Sequence, residues 1–125
     1  METKRILMVD DDPRALFVLK EALQRLDIPL DITTAENGEE ALEKLETRPV
    51  DLIITDVRMP ILDGIELTEA LRALSWDTRI VWITARGCRE VRDVSRRLQV
   101  YGCLDKPLKI GPFRQMVLEA LACVG

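Results

Sequence analysis

Aspartates follow two apolar runs of this chain, and their chemistry is the clearest clue to function. Asp10, Asp11 and Asp12 come directly after residues 5–9, and Asp56 ends residues 50–56. If both β-branched runs are parallel strands of one sheet, their carboxyl ends meet at the edge where such sheets bind ligands. Carboxylates that close repel each other unless a proton or a hard cation intervenes. Mg²⁺ suits such a site, because it takes oxygen ligands and keeps several waters.

Two more apolar runs also end in polar side chains. Thr84 follows residues 79–83, and Lys106 follows residues 100–105. At the mouth of an acidic site, a lysine either neutralises a carboxylate or receives an incoming anion as a compact charge. A metal-assisted site for phosphoryl chemistry is therefore predicted from five residues, Asp10, Asp11, Asp56, Thr84 and Lys106.

Short apolar runs alternate with amphipathic stretches, which is typical of βα units around a parallel sheet. Strands are predicted near residues 5–9, 30–34, 51–55, 80–83 and 101–105. Helices are predicted at about 13–26, from Asn37-Gly38 to Pro49, and at about 64–74, 87–99 and 110–123. The predicted fold is therefore α/β, with a five-stranded parallel sheet and helices on both faces.

Length and composition fit one globular domain over residues 1–125, either complete or the N-terminal part of a longer protein. No apolar stretch approaches the ~20 residues that span a membrane, and no signal peptide pattern is present. We therefore expect a cytoplasmic protein without a membrane partner. The net charge of −4 gives no general attraction to nucleic acid, and no glycine-rich phosphate-binding motif indicates a nucleotide cofactor.

The histidine and cysteine content narrows the chemistry further. The chain has no histidine, which excludes a Ser-His-Asp triad, a phosphotransfer histidine and imidazole metal ligands. Cys88, Cys103 and Cys123 are odd in number and widely spaced, without any Cys-x-x-Cys pair. This pattern predicts neither a disulfide framework nor a zinc site, but core or half-buried thiols.

Four segments of the chain stand out by their order and spacing, which are Val9-Asp10-Asp11-Asp12, residues 55–60 continuing through Asp63-Gly64, Thr84-Ala85, and Lys106-Pro107. In these segments the whole chain resembles the receiver domains of two-component response regulators. It implies the flavodoxin-like, doubly wound (βα)5 receiver fold. It also implies a phosphorylation-controlled signalling switch, not an enzyme beyond its own phosphorylation and slow autodephosphorylation.

In receivers of this kind, the carboxylate at the Asp56 position accepts a phosphoryl group from a sensor histidine kinase or a phosphotransfer protein. Lys106 and Thr84 would hold the phosphoryl oxygens. The resemblance also implies that Mg²⁺ is held by Asp11 and Asp56 directly, by Asp10 directly or through water, and by the backbone carbonyl of Arg58.

Positions around the site differ between receivers, and some are unusual here. Cys103 stands three residues before Lys106, where an aromatic commonly turns inward. Because a thiol frees much less volume on turning, the usual packing switch is not expected to operate unchanged. Strand alternation predicts Tyr101 on the same face as Cys103. As a hypothesis Tyr101 takes over part of the switch; the alternative is a partly buried structural tyrosine.

Arg58 and Arg86 follow Asp56 and Thr84 by two residues each. By the same resemblance, these positions help set how long the aspartyl phosphate lasts. We hypothesise that their charge and bulk hinder the attacking water; both could equally be ordinary surface arginines.

The predicted fourth helix carries Arg89, Arg92 and Arg96 at helical spacing, with Val91, Val94 and Leu98 as its buried stripe. The simplest interpretation of the arginines is a solvated face. In the resembling family, this helix, the last strand and the last helix form a face for an output domain, a downstream protein or a homodimer. Direct DNA binding is not expected, because no helix-turn-helix is recognisable.

Two other functional classes remain open. One is a phosphorylation-independent interaction module with the receiver fold, against which the complete set of site residues argues. The other is a phosphohydrolase like the haloacid dehalogenases, suggested by the acids Asp10 and Asp12. That class expects threonine or valine where Arg14 stands. Asp12 before Pro13 is better explained as a helix N-cap.

Overall fold

The computed structural model describes residues 2–122 of the chain. In this part, five strands alternate with five helices. The strands are β1 Lys4–Val9, β2 Leu30–Ala35, β3 Leu52–Asp56, β4 Arg79–Thr84 and β5 Gly102–Asp105. The helices are α1 Pro13–Gln24, α2 Gly38–Thr47, α3 Gly64–Ala73, α4 Arg92–Arg97 and α5 Ile110–Ala122. Among the described residues, no helix has the length and apolar character needed to cross a membrane.

The strands form one parallel sheet in the order β2-β1-β3-β4-β5. β1 and β3 are neighbours, and their register pairs Val9 with Thr55. The residues that follow, Asp10 and Asp56, therefore emerge side by side at the carboxyl edge. The predicted five-stranded parallel sheet with helices on both faces is confirmed.

Buried side chains lie on both faces of the sheet, as expected for strands covered twice. On one face, strand residues such as Ile6 and Ile54 pack against the apolar stripes of α1 and α5. On the other face, Leu7, Ile53 and Trp82 pack against α2 and α3. Neighbouring strand residues point to opposite faces, which is why the central strands β1, β3 and β4 have continuous apolar runs.

Three helices begin at side-chain caps that the sequence encodes locally. The Asp12 carboxylate accepts a hydrogen bond from the Arg14 amide at 2.9 Å, and Pro13 follows as the first helical residue. Asn37 caps α2 in the same way. Asp63 and Glu66 form a reciprocal capping box at α3. The N-cap role predicted for Asp12 is confirmed.

The predicted fourth helix is wrong at its beginning. It was expected over residues 87–99, but α4 is only Arg92–Arg97, and residues 88–91 form turns. Gly87 has a φ of 95°, a left-handed conformation that interrupts a helix. Arg89 therefore lies outside α4, whereas Arg92 and Arg96 lie on it and are exposed. Of the predicted buried stripe, Leu98 is buried and the two valines are half-buried against the core.

The prediction of free thiols is also wrong for two of the three cysteines. Cys88 and Cys103 form a disulfide, with their Cα atoms 5.8 Å apart. The pairing arises in three dimensions, because β5 lies beside β4 and the chain after β4 turns back toward it. Linear spacing does not show this proximity. Cys123, which is also the predicted last residue of α5, lies outside the described residues.

Tyr101 does not share a face with Cys103. Cys103 packs with the core on the α2 and α3 side of the sheet, whereas Tyr101 packs with the core on the α1 and α5 side. Tyr101 precedes β5, so strand alternation does not apply to it. Its ring lies under the Arg79 guanidinium, at 4.8 Å from centroid to Cζ. The hypothesis that Tyr101 takes part in the switch assumed that it shares a face with Cys103, and the structure contradicts this assumption.

Arg72, near the end of α3, joins three segments by donating to four backbone carbonyls. Its guanidinium reaches Trp76 and Thr78 in the connection to β4, at 2.7 and 3.0 Å. It also reaches Leu98 and Gln99 after α4, at 2.8 and 3.2 Å. Burial lowers the pKa of this guanidinium, while Asp77 opposes the shift. Arg72 thus joins the end of α3 to the segment before β4 and to the segment after α4.

Candidate functional site

The acidic residues predicted from the sequence meet at the carboxyl edge of the sheet. One carboxylate oxygen from each of Asp10, Asp11 and Asp56 lies within 4.8 Å of the other two. Asp10 and Asp56 are only 3% and 7% exposed, whereas Asp11 is open to solvent. Three convergent carboxylate oxygens with one open side fit the needs of a hard divalent cation that retains water. The residues therefore fit a magnesium site.

Lys106 provides the only charge compensation among the described contacts of this acidic cluster. Its Nζ donates to Asp56 Oδ2 at 2.9 Å and lies at a longer 3.5 Å from Asp10 Oδ2. Burial tends to lower the pKa of Lys106, but hydrogen bonding and charge from the two aspartates outweigh it and raise the pKa. Lys106 is therefore protonated and positively charged at neutral pH. It follows β5 directly and precedes Pro107, through a cis peptide bond.

In the acidic cluster, the folded structure disfavours the ionised form of Asp10. Burial is the main cause that raises its pKa above the model-compound value of 3.8, and the charge of Asp56 adds to it. The backbone amide of Asp12, which donates to Asp10 Oδ1 at 2.9 Å, and the charge of Lys106 oppose the shift without cancelling it. Ionised Asp10 is thus retained at a cost in stability, as at many functional sites.

Asp10→Asn is expected to raise the free energy of unfolding by about 1 kcal/mol at neutral pH without divalent cations. When the pKa of a carboxyl group is higher in the folded than in the unfolded protein, its ionisation lowers the free energy of unfolding at pH values above the folded pKa. Asparagine cannot ionise, so it removes this loss. The advantage should fade as the pH falls below the folded pKa of Asp10. Urea unfolding against pH measures it, with exposed Asp27→Asn as control. Lower stability of Asp10→Asn at neutral pH would contradict the interpretation.

The backbone after β3 is shaped closely around Asp56. The Arg58 amide donates to Asp56 Oδ1 at 3.2 Å. A Cβ atom on Gly64 would lie 2.2 Å from the Asp56 carbonyl oxygen, so only glycine allows α3 to start here. The Gly64 amide also donates to the Val57 carbonyl at 3.0 Å. The glycine thus sets the approach of α3 to the residue that carries the site.

Thr84 and Arg86 lie on the other side of Asp56. Thr84 ends β4 and is fully buried. Lys106 follows the neighbouring strand β5, and its amide donates to the Thr84 carbonyl at 2.9 Å. The Thr84 hydroxyl accepts from the Arg86 amide at 3.0 Å. The side chains of Arg58 and Arg86 are exposed at the rim. Their effect on the lifetime of an aspartyl phosphate stays a prediction.

Asp12 has no part in the acidic cluster, because its carboxylate caps α1. The Asp-x-Asp pair of a haloacid-dehalogenase-like site needs both acids, so this arrangement argues against that alternative. Sequence reasoning named Arg58 and Gly64 but missed two contacts at the site, the hydrogen bond from the Arg58 amide to Asp56 Oδ1 and the close approach of Gly64 to the Asp56 carbonyl. The Asp63-x-x-Glu66 capping signal could have identified Gly64 as a first helical residue next to the site.

Comparison with known proteins agrees with this geometry. A family profile described as response regulator receiver domain matches residues 6–118. The response regulator protein PilR of Pseudomonas aeruginosa is 32% identical over 121 residues, which cover 97% of this chain and 27% of PilR. The sensor protein EvgS of Escherichia coli is 37% identical over 109 residues, covering 87% of this chain and 9% of EvgS. The chain thus spans only a small part of these relatives.

Solved structures show the same fold. The receiver domain of the Francisella response regulator 1452 is 28% identical, with a TM-score of 0.87 and coverage of 95% of this chain and 97% of that one. The chemotaxis response regulator CheY4 of Vibrio cholerae is also 28% identical, with a TM-score of 0.84 and coverage of 96% and 100%. With its acidic cluster and lysine at the carboxyl edge of a five-stranded parallel sheet, this chain belongs to the response regulator receiver domain family.

Proposed function

We propose that the domain is a signalling switch that accepts a phosphoryl group on Asp56 in a reaction that requires Mg²⁺. One observation carries the proposal: three carboxylate oxygens converge within 4.8 Å, and Lys106 Nζ lies 2.9 Å from Asp56 Oδ2. Receiver domains are signalling modules of two-component systems and not classical enzymes. Here the chain's own residues would supply the chemistry of its modification.

In the proposed reaction, a carboxylate oxygen of Asp56 attacks phosphorus, forming an O–P bond as the bond to the donor breaks. Asp10, Asp11, Asp56 and the Arg58 carbonyl would hold Mg²⁺, and the ion would supply charge neutralisation for the phosphoryl oxygens. Lys106 transfers its hydrogen bond from the carboxylate to one of these oxygens, and the Thr84 hydroxyl donates to another. The Arg58 amide orients Asp56 during the attack. Such catalysis consists of positioning and charge stabilisation.

As part of the same proposal, residues 1–125 act as one receiver domain in the cytoplasm. A sensor histidine kinase or a phosphotransfer protein supplies the phosphoryl group. The surface formed by α4, β5 and α5 contacts an output domain, a downstream protein or a second copy of the chain. Support comes from the exposed arginines of α4, which are Arg92, Arg96 and Arg97.

The test is intact-mass analysis after incubation with acetyl phosphate and Mg²⁺. We expect a gain of one phosphoryl group that is lost in Asp56→Asn and in the presence of a chelator. Asp27→Asn is a matched control, because Asp27 is an exposed acid just before β2, at the opposite edge of the sheet. No gain, together with failure to bind beryllofluoride, would refute the proposal and favour a phosphorylation-independent interaction module.

A further inference from the structure

The disulfide between Cys88 and Cys103 joins the segment after β4 to β5, beside the proposed phosphorylation site. Cys103 pairs in register with Trp82 of β4 and stands three residues before Lys106. Cys88 stands four residues after Thr84. Both cysteines are half-buried, and Cys88 borders an open cleft that Lys106 also lines. The bond therefore lies close to both groups that would hold the phosphoryl oxygens.

The segment between Thr84 and Cys88 is fixed at both ends. At its start, the Arg86 amide donates to the Thr84 hydroxyl at 3.0 Å. At its end, the Cys88 amide donates to Asp105 Oδ1 at 2.7 Å, and the disulfide adds a covalent tie to β5. The left-handed Gly87 turns the chain between them. If rotation about the Cα–Cβ bond carries the Thr84 hydroxyl oxygen toward a phosphoryl group on Asp56, that oxygen moves away from the Arg86 amide and this segment has to shift.

We propose that Cys88 and Cys103 are a reversible thiol–disulfide switch that controls how far the segment from Ala85 to Val91 responds to phosphorylation. The inference rests on the proposed function, because it concerns the response of that same site. The disulfide holds the segment in the arrangement described here. Reduction leaves only hydrogen bonds at its end, so the segment is released when Asp56 is phosphorylated.

The redox step needs a disulfide of low molecular weight or on a thiol-oxidoreductase as its partner. One cysteine thiolate attacks the partner's S–S bond, which gives a mixed disulfide and one released thiol. The second thiolate then displaces the remaining partner thiol and forms the Cys88–Cys103 bond. Two protons pass from the cysteines to the two released thiols. A dithiol reductant reverses the sequence.

The first measurement is hydrogen exchange of residues 85–91, with and without acetyl phosphate and Mg²⁺, in oxidised and reduced protein. Every sample carries Cys123→Ser, so that a third thiol cannot exchange with the pair. In the reduced protein, we expect phosphorylation to increase exchange in this segment at least tenfold. In the oxidised protein, the increase should stay below twofold. Cys88→Ser should behave like the reduced protein under both conditions.

Intact mass in the same samples separates the two proposals. Phosphorylation of both redox forms with an equal exchange response overturns the switch and leaves the proposed function standing. No phosphoryl gain in either form, together with failure to bind beryllofluoride, overturns both. Thiol trapping in glutathione buffers tests reversibility: a mixture of oxidised and reduced pairs supports the switch. A pair that stays oxidised in the most reducing buffer would make the disulfide purely structural and would also overturn the proposal.

Discussion

Lys106→Ala is expected to slow phosphorylation of Asp56 by about 100-fold while it strengthens binding of Mg²⁺. The two effects have opposite signs because the Lys106 ammonium interacts with both negative and positive charge at the site. Its ammonium stabilises negative charge on the phosphoryl oxygens, and it also repels a cation bound by the same carboxylates. With Nζ 2.9 Å from Asp56, removing that repulsion is worth about 1 kcal/mol, or roughly a fivefold tighter metal site.

The measurement combines the rate of mass gain with acetyl phosphate and calorimetric titration with Mg²⁺. Lys109→Ala is the matched control, since Lys109 is exposed in the same connection between β5 and α5. It should change neither quantity by more than about twofold, because an exposed charge contributes little. Weaker Mg²⁺ binding by Lys106→Ala, or an equal loss of rate in Lys109→Ala, would show that Lys106 does not act on the site as described.

Arg72→Ala should lower the free energy of unfolding by about 3 kcal/mol, and the melting temperature by roughly 10 °C. Its guanidinium satisfies four carbonyls on two connections that share no other such donor among the described contacts. Alanine leaves three part-buried acceptors, the carbonyls of Trp76, Thr78 and Leu98, without this donor and removes the link between the end of α3 and the end of α4. The measurement is chemical and thermal unfolding of the metal-free domain.

Arg72→Lys separates charge from geometry. One ammonium cannot reproduce a planar fork that spans acceptors on both sides, so we expect lysine to recover less than half of the loss. Arg97→Ala is the control: its contact with Glu69 is 3.7 Å long and exposed, so the change should stay within about 0.5 kcal/mol. Full recovery by lysine would mean that charge alone, and not the fork, stabilises this region.

The sequence predicted the sheet and the acidic site because their signals are local. The strands that carry the site have apolar runs, and each site residue ends or directly follows such a run, so parallel pairing alone brings Asp10, Asp56, Thr84 and Lys106 to one edge. Caps such as Asp12 and Asn37 likewise act on the amides two or three residues away. The strands were therefore predicted to within a residue or so at each end.

The features that could not be predicted depend on contacts between distant segments. The Cys88–Cys103 pair requires the return of the chain after β4, which linear spacing does not reveal. The short α4 follows from the left-handed Gly87 and the ties on Cys88, although the helical periodicity continues through residues 87–91. The role of Arg72 could not be predicted, because its partners are backbone carbonyls and leave no pattern in the side chains.

The order of the strands also has a consequence for synthesis of the chain. β1 and β3, which carry the acids, are neighbours in the sheet, whereas Lys106 follows β5, the last strand along the described chain. The chain is synthesised at about 5–20 residues per second, and a domain generally folds as a unit. The acids thus leave the ribosome seconds before their counter-charge. We expect the carboxyl edge of the nascent sheet to stay loosely packed until β5 docks. Docking of β5 brings in Lys106 and is therefore the step that completes the site.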